Sequence, residues 1–243
     1  MRTRRCAHVV AALALVLPLG CGSDSGGDDD AKIPTAEQLG ASLLTPGDLD
    51  GTWAVNAGPG DGLIPASGVL TEEARALLPS AELCPAASAE SRAAVDGLAW
   101  MAYRQLDMTP EDPIVPPSDR TGHMVFVQQF LLSDEPSTVQ RTFELLREGM
   151  KACLGEVDTG EEGPGMAAEM TTPGVGDDRY GVLTTVQEAG GGGEWLLHNT
   201  LVRQGAVLMM IDVVDIHLGV DPLFTIDDVG AIVTTATDEL LGA

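Results

Sequence analysis

The residues that enzymes most often use for covalent chemistry do not stand at catalytic spacings in this chain. Its 243 residues contain no GxSxG, HExxH or SxxK pattern and no P-loop. The glycine-rich stretch 58–62 lies between loops, not between a strand and a helix, and the acid pairs 48/50 and 177/178 lack the ligand count of a calcium site. We therefore predict no catalytic residue, metal site or cofactor, and keep a hydrolase with dispersed catalytic residues as a weak alternative.

Four cysteines fall into different sequence contexts. Cys6 lies in the apolar leader, and Cys21 follows Leu17-Pro18-Leu19-Gly20, which resembles a bacterial lipobox apart from its proline. Cys21 is therefore the predicted site of lipidation. Cys84 and Cys153 remain, and we expect two thiols of an exported domain to pair. Closing this loop of about 70 residues would stabilise the fold by about 4 kcal/mol in the chain-entropy model.

The N-terminal residues have the composition of a secretory signal. Three arginines precede an apolar run from Val9 to Leu19, which is too short to cross a hydrocarbon core of about 30 Å as a helix. The following GSDSGGDDDA stretch is typical of a flexible tether. We expect a signal peptide over 1–20, a lipid anchor and acidic tether over 21–34, and one globular domain over 35–243. The protein would then be exported and held at the outer face of the cytoplasmic membrane.

The chain is strongly acidic. Its 13 Lys+Arg and 37 Asp+Glu give a net charge of −24. Cleavage before Cys21 would remove three arginines and no acid, which leaves 10 basic residues against 37 acidic ones, or −27. This charge argues against binding to nucleic acid and against a polybasic membrane patch, so membrane contact must come from acyl chains. An apolar content of 44% nevertheless predicts a folded domain.

Four helices are predicted from caps and apolar stripes. Thr35 to Leu44 begins with a capping box to Gln38, and a second short helix covers about 71–78. A long helix over 134–154 starts at Ser133 or Asp134. Its stripe is Val139, Phe143, Leu146, Met150 and Cys153. The last helix starts with a capping box between Thr225 and Asp228, and its stripe is Val229, Ile232, Val233, Ala236 and Leu240.

The strand signals suggest an antiparallel sheet. Predicted strands lie at 52–56, 98–106, 123–132, 180–188, 194–203 and 206–214, and the last three form a meander with a two-residue turn at Gln204-Gly205. Loops are expected at 58–68, 107–122, 156–172 and 215–223. The fold class is therefore α+β, with two layers, five or six mainly antiparallel strands and helices packed on the sheet.

The order of several landmarks resembles the PknH-like extracellular sensor domains of actinobacteria. These landmarks are LLTPGDL at 43–49, Cys84-Pro85, Cys153 after the long helix, GDD at 176–178 and LVRQG at 201–205. The resemblance covers most of residues 36–241 and implies an antiparallel sheet packed by helices around a cleft, with ligand sensing. The family member carried by a receptor kinase looks to need two disulfides, whereas this chain has one cysteine pair and no kinase motif.

Polar and aromatic residues interrupt the apolar runs of the predicted strands. If the sheet forms a groove, they would line a ligand cleft, and if it faces water they are merely solvated. The candidate cleft residues are Trp100, Tyr103, Arg104, Phe126, Gln128, His198, Arg203 and Asp212, with Gln129 and Asn199 in the same pattern. Arg203 has the further interpretation that it balances neighbouring acids. His123, His198 and His217 are expected to be packed or surface histidines.

These features together favour a non-catalytic binding module. We expect a monomeric, lipid-anchored, sensor-like protein that captures a small or amphiphilic envelope ligand, or an envelope protein, in a cleft between sheet and helices. A lipoprotein that acts through its surface alone, as an accessory or assembly factor, is the main alternative.

Overall fold

The computed structural model describes residues 32–56, 62–64, 93–95, 97–108, 122–158, 163–188, 193–218 and 220–242. The predictions that concern the signal peptide, Cys21, the helix at 71–78 and Cys84 lie outside these residues. The described residues belong to one compact unit. Within them, no helix is long and apolar enough to cross a membrane.

Two of the three helices described below begin at the predicted cap residues. Helix α1 (Ala36–Ala41) starts with the reciprocal capping box of Thr35 and Gln38. The predicted cap of the long helix is wrong: α2 (Pro136–Ala152) has Glu135 at its N-cap position with no side-chain cap, because Ser133 still belongs to a strand. Helix α3 (Ile226–Gly242) starts with the predicted hydrogen bonds between Thr225 and Asp228.

One antiparallel sheet forms the centre of the described structure. Its strands are β1 (Trp53–Val55), β2 (Gly62–Ile64), β3 (Trp100–Met108), β4 (Gly122–Ser133), β5 (Gly155–Asp158), β6 (Pro164–Glu169), β7 (Asp178–Gln187), β8 (Gly193–Gln204) and β9 (Val207–Leu218). Eight of them follow the order β1-β3-β4-β9-β8-β7-β6-β5, and β2 pairs with β3 on the same edge as β1. The predicted meander is confirmed as β7-β8-β9.

The prediction of five or six strands is wrong. Strands β2 and β6 fall inside the predicted loops 58–68 and 156–172, and β5 begins one residue before the second loop. These strands are short and contain glycine, proline or alanine, so their own sequences predict no strand. Pairing with a longer neighbouring strand imposes the extended backbone. Strand β9 also extends into the predicted loop at 215–223, and its turn from β8 is Gly205-Ala206, one residue later than expected.

Helices pack against both faces of the sheet, so the two-layer prediction is wrong. On one face, the α1/α3 face, Val127, Ile211 and Val213 pack with Leu39 of α1 and Val233 of α3. On the other, the α2 face, Phe130, Leu201 and Met210 pack with Val139 and Phe143 of α2. Residues 129–133 of β4 and 207–215 of β9 are buried on both faces, which explains why these strands contain nearly continuous apolar runs.

Candidate ligand-binding face

Four polar residues lie side by side across the middle of the α2 face. The strand register places Gln105 of β3 opposite Gln128 of β4, Gln128 opposite Asp212 of β9, and Asp212 opposite Asn199 of β8. Directly opposed residues of antiparallel strands project to the same face, with Cβ atoms about 5 Å apart. These four residues are called the polar row.

The polar row lies between two different environments. On one side, the adjacent row of Tyr103, Phe130, Met210 and Leu201 is buried in the same apolar cluster as α2. On the other side lie apolar residues that α2 does not bury, here called the apolar floor. The apolar floor consists of Met124, Phe126, Trp195, Leu197, Val214 and Ile216. Val214 is buried, Met124 is 52% exposed, and the others are half-buried.

A hydrogen-bond network orders one end of the polar row. Gln128 Nε2 donates to the hydroxyl of Tyr103 (3.2 Å) and to Oε1 of Gln105 (3.1 Å). Gln105 Nε2 donates to Oδ1 of Asp107 (2.7 Å), whose Oδ2 accepts from Asn56 (2.8 Å). The amide nitrogens of both glutamines are therefore committed to protein partners, and this arrangement fixes the side-chain orientations.

Asp212 is the unusual member of the polar row. Its side chain is 3% exposed, and Oδ1 accepts a 2.6 Å hydrogen bond from Asn199 Nδ2. The other oxygen, Oδ2, is buried and has no hydrogen-bond partner among the described residues. Burial raises the pKa of this carboxyl group to about 7, although the hydrogen bond from Asn199 acts in the opposite direction. A buried acceptor without a partner is costly, which is why such groups often mark a functional position.

The structure brings some of the predicted cleft residues together and separates others. Tyr103, Phe126, Gln128 and Asp212 share the α2 face. Arg104 lies on the opposite face, where its Nη1 donates to the carbonyl oxygen of Leu44 (3.1 Å). Residues that follow one another in a strand project to opposite faces, so the adjacent residues Tyr103 and Arg104 cannot line the same cleft.

His198 also lies on the α1/α3 face. Its side chain is 1% exposed, and in the part of the chain that the structure describes neither ring nitrogen has a hydrogen-bond partner. Burial lowers its pKa, against a smaller opposing effect of Asp215. His198 is therefore a packed, neutral histidine, as the sequence favoured. Its chain neighbour Asn199 projects to the α2 face instead, opposite Asp212.

Arg203 and Trp100 lie apart from the polar row. Arg203 forms ion pairs with Asp177 (3.1 Å) and Asp178 (2.7 Å), beside the turn that joins β8 to β9. This geometry agrees with the interpretation that Arg203 balances neighbouring acids. Trp100 begins β3 opposite Ser133, at the far end of that strand from Asp107.

The other two histidines position the segment before α3. His123 Nδ1 lies 3.3 Å from Oδ1 of Asp215, and His217 Nδ1 lies 2.8 Å from the carbonyl oxygen of Val220. Asp215 Oδ2 accepts from the backbone N–H groups of Leu223 and Phe224, at 2.6 and 3.2 Å. These contacts hold a loop in place, and no group of three or more metal-ligating side chains occurs among the described residues.

Sequence reasoning missed several residues of this face. Gln105 was not a candidate, yet it stands two residues after Tyr103, and strand alternation alone would have placed the two on the same face. Asn199 was noted but not chosen. The apolar floor residues Trp195 and Leu197 gave no signal, because the register that sets them beside Phe126 depends on pairing with β9.

Two predictions stay open. Cys153 lies half-buried just after α2, but its expected partner Cys84 lies outside the described residues, so their disulfide stays a prediction. The cleft is also untested, because residues 65–92 and 109–121 are not among those described.

Comparison with known proteins supports the fold. No family model and no curated protein matches the sequence. Among solved structures, the extracellular domain of PknH from Mycobacterium tuberculosis has a similar fold, with a TM-score of 0.52 and 12% sequence identity over 88% of this chain and 100% of that domain. The resemblance to PknH-like domains is thus confirmed for the fold, while membership of a sequence family is not shown.

Two further structures are more distantly similar. A putative uncharacterized protein of Mycobacterium smegmatis, an Rv0999 ortholog, has a TM-score of 0.35 and 11% identity over 64% of this chain and 74% of its own. LpqN of Mycobacterium tuberculosis, described as involved in cell envelope biogenesis, has a TM-score of 0.26 and 10% identity over 55% of this chain and 65% of its own. Neither likeness is close enough to carry an argument.

Proposed function

We propose that this protein is a non-catalytic, lipid-anchored binding module of the cell envelope. It holds an amphiphilic ligand on the α2 face, with the ligand's polar group at the polar row and its apolar part on the apolar floor. The observation that carries this proposal is the juxtaposition itself: half-buried amides and a buried carboxyl group lie directly beside half-buried Phe126 and Leu197, and half-buried Trp195 lies two residues beyond Leu197 on β8. Ligand sites typically combine an apolar lining with a few polar groups that fix orientation.

Separate observations support the proposed location of the protein in the cell envelope. The similar fold of the PknH extracellular domain supports a place outside the cytoplasm. The leader, the lipobox-like sequence before Cys21 and the acidic tether support a lipid anchor. A domain suspended near a bilayer in this way would meet amphiphilic envelope components at high local concentration.

The hydrolase alternative finds less support. A raised carboxyl pKa is present at Asp212, but a general acid–base mechanism would gain from a histidine beside it. The three histidines of the described residues all project to the α1/α3 face, opposite to Asp212. The sheet therefore separates the residues that a Ser-His-Asp type of site would need to combine.

The surface-acting alternative is favoured by one observation. Val220, Leu223 and Ile226 are 40%, 45% and 41% exposed within a stretch of seven residues. Exposed apolar side chains close together in the chain suit contact with a protein partner. If this segment is the functional surface, the double variant Leu223→Ser/Ile226→Ser would abolish the function of the protein in cells. Substitutions on the α2 face would leave that function unchanged.

A matched pair of methionines tests the main proposal. Met124 belongs to the apolar floor and is 52% exposed, whereas Met166 is 50% exposed on β6 and projects to the opposite face. We expect the purified protein to bind dodecyl maltoside saturably below its critical micelle concentration. Met124→Ala should weaken this binding about fivefold, because roughly 1 kcal/mol of apolar burial is lost. Isothermal titration calorimetry measures the change.

Met166→Ala is the control and should bind dodecyl maltoside like the parent. Equal weakening in the two variants would show nonspecific adsorption of detergent to exposed methionine. That result, or the absence of saturable binding, would contradict an amphiphile site on the α2 face.

A further inference from the structure

The polar row offers hydrogen-bond acceptors that no described residue uses. Oδ2 of Asp212 has no partner. The amide nitrogens of Gln128 and Asn199 both donate to protein atoms, which leaves Oε1 of Gln128 and Oδ1 of Asn199 without a donor among the described residues. The register sets Gln128 and Asn199 on the two sides of Asp212, on neighbouring strands. Three acceptor oxygens of adjacent residues are thus left for a ligand.

The charged side chains next to the polar row are acidic, and the cation on this face is paired elsewhere. Asp212 and Asp107 are the acidic groups on this part of the face, and both oxygens of Asp107 already accept hydrogen bonds from Gln105 and Asn56. Among the described residues, no lysine or arginine forms an ion pair with either aspartate. Arg203, on the same face, is paired with Asp177 and Asp178. The whole chain adds a net charge of −24.

A primary ammonium group fits this arrangement. It has three N–H donors, no acceptor and a positive charge, so it would supply each free oxygen with a donor and would neutralise Asp212. An anionic headgroup would meet carboxylate and carbonyl oxygens with no donor to receive it. A neutral polyol could satisfy single oxygens but would leave the charge that Asp212 carries above about pH 7 uncompensated.

We propose that Asp212, Gln128 and Asn199 form a recognition site for a primary ammonium group, so that the ligand is a cationic amphiphile bearing an amine. This inference rests on the proposed function and specifies its ligand class. The amine lies at the polar row, and the alkyl part extends over the apolar floor.

Three detergents with the same twelve-carbon chain test the headgroup. Dodecylammonium, dodecyl maltoside and dodecyl sulfate are titrated into the purified protein below their critical micelle concentrations. We expect dodecylammonium to bind at least tenfold more tightly than dodecyl maltoside, and dodecyl sulfate not to compete with it. Tighter binding of dodecyl sulfate than of dodecylammonium would overturn the proposal.

Two variants that remove the same charge distinguish binding at the site from a general effect of the acidity of the protein. Asp212→Asn keeps the shape of the side chain, and Asp238→Asn removes the same charge from an exposed position of α3. Asp212→Asn should weaken dodecylammonium binding at least tenfold and dodecyl maltoside binding less than threefold, whereas Asp238→Asn should change neither by more than twofold. Gln128→Met, which removes a second acceptor, should also weaken dodecylammonium more than dodecyl maltoside.

The outcomes distinguish the two proposals. If Asp212→Asn and Asp238→Asn weaken dodecylammonium equally, the ammonium site is wrong while the amphiphile site stands. If Met124→Ala leaves the binding of all three detergents unchanged, the amphiphile site itself is wrong, and the ammonium site fails with it.

Discussion

Asp212 places a carboxyl group where water has little access, and this single residue accounts for much of the unusual chemistry of the described structure. Its neighbours on the same face are amides and apolar side chains, and only Asn199 donates to it. Burial disfavours its charged form, which raises its pKa to about 7. The consequence for stability can be measured without knowing the ligand.

The first prediction concerns the pH dependence of stability through Asp212. The carboxyl group has a pKa of about 7 when folded and an ordinary value of 3.8. Between about pH 4 and pH 7 the folded protein holds a proton that the unfolded chain has released, so stability falls as pH rises through this window. The total loss is of the order of 4 kcal/mol. Urea unfolding between pH 4 and pH 8 measures it.

Asp212→Asn removes this titration. The variant should therefore exceed the parent in stability at pH 8 and approach it near pH 4. Parallel stability profiles of variant and parent would show that Asp212 does not titrate in this range, and the assignment of its raised pKa would be wrong.

At the scale of elements, β4 and β9 determine what the α2 face can present. Gln128 and Asp212 follow a two-residue alternation with Phe130 and Met210, so the same face changes from apolar to polar along each strand. Helix α2 covers only the apolar part of this face, because its stripe from Val139 to Met150 packs there. The boundary of α2 packing thus decides which residues remain for a ligand.

The second prediction belongs to the scale of elements and compares two glycines whose surroundings differ. Gly176 adopts a φ of +68°, and a Cβ atom there would lie 2.8 Å from the carbonyl oxygen of Arg203. Gly230 lies in α3, and a Cβ atom would meet nothing within 4 Å. Gly176→Ala should destabilise the protein by about 2 kcal/mol or more, and Gly230→Ala should stabilise it by about 1 kcal/mol, the gain of alanine in a helix.

Thermal unfolding of both variants checks this prediction. Stabilisation by Gly176→Ala would mean that the turn before β7 can relax away from β8. Destabilisation by Gly230→Ala would mean that α3 packs more closely at this position than the open space indicates.

For the molecule as a whole, two proposed modifications matter. The lipid anchor would keep the domain near the membrane, and the disulfide would hold the C-terminal end of α2. We expect a disulfide between Cys84 and Cys153 and a diacylglycerol group on Cys21. The disulfide would tie the end of α2 to a segment about 70 residues earlier, and would stabilise the fold by about 4 kcal/mol in the chain-entropy model.

Intact-mass analysis of the protein purified from a host that processes lipoproteins checks both claims. The mass should show cleavage before Cys21, an added diacylglycerol group and two hydrogens fewer than the reduced chain. Peptide mapping should join Cys84 to Cys153, and Cys153→Ala should lower the stability of the protein. An unmodified N-terminus or two free thiols would contradict the corresponding claim.

Particular elements show how much the sequence could predict. The capping boxes at Thr35 and Thr225, the apolar stripes of α2 and α3, and the meander β7-β8-β9 follow from local chemistry, and all are present. Strands β5 and β6 could not be predicted, because sequences such as PGMAAE have low strand propensity; pairing with β7 holds β6 extended, and pairing with β6 holds β5. Of the eight candidate cleft residues, five project to the α2 face: Tyr103, Phe126, Gln128, Asp212 and, beside the turn between β8 and β9, Arg203.

The sequence by itself determined the helices, the long strands and the acidic charge, because these depend on residues close together in the chain. Only the tertiary structure decided that Gln105, Gln128, Asp212 and Asn199 meet in one row, since this depends on the register of four strands. It also decided that Arg104 and His198 face away and that helices cover both sides of the sheet. The physical reason is the two-residue period of a strand: a shift of one residue exchanges its faces, and only long-range packing fixes that choice.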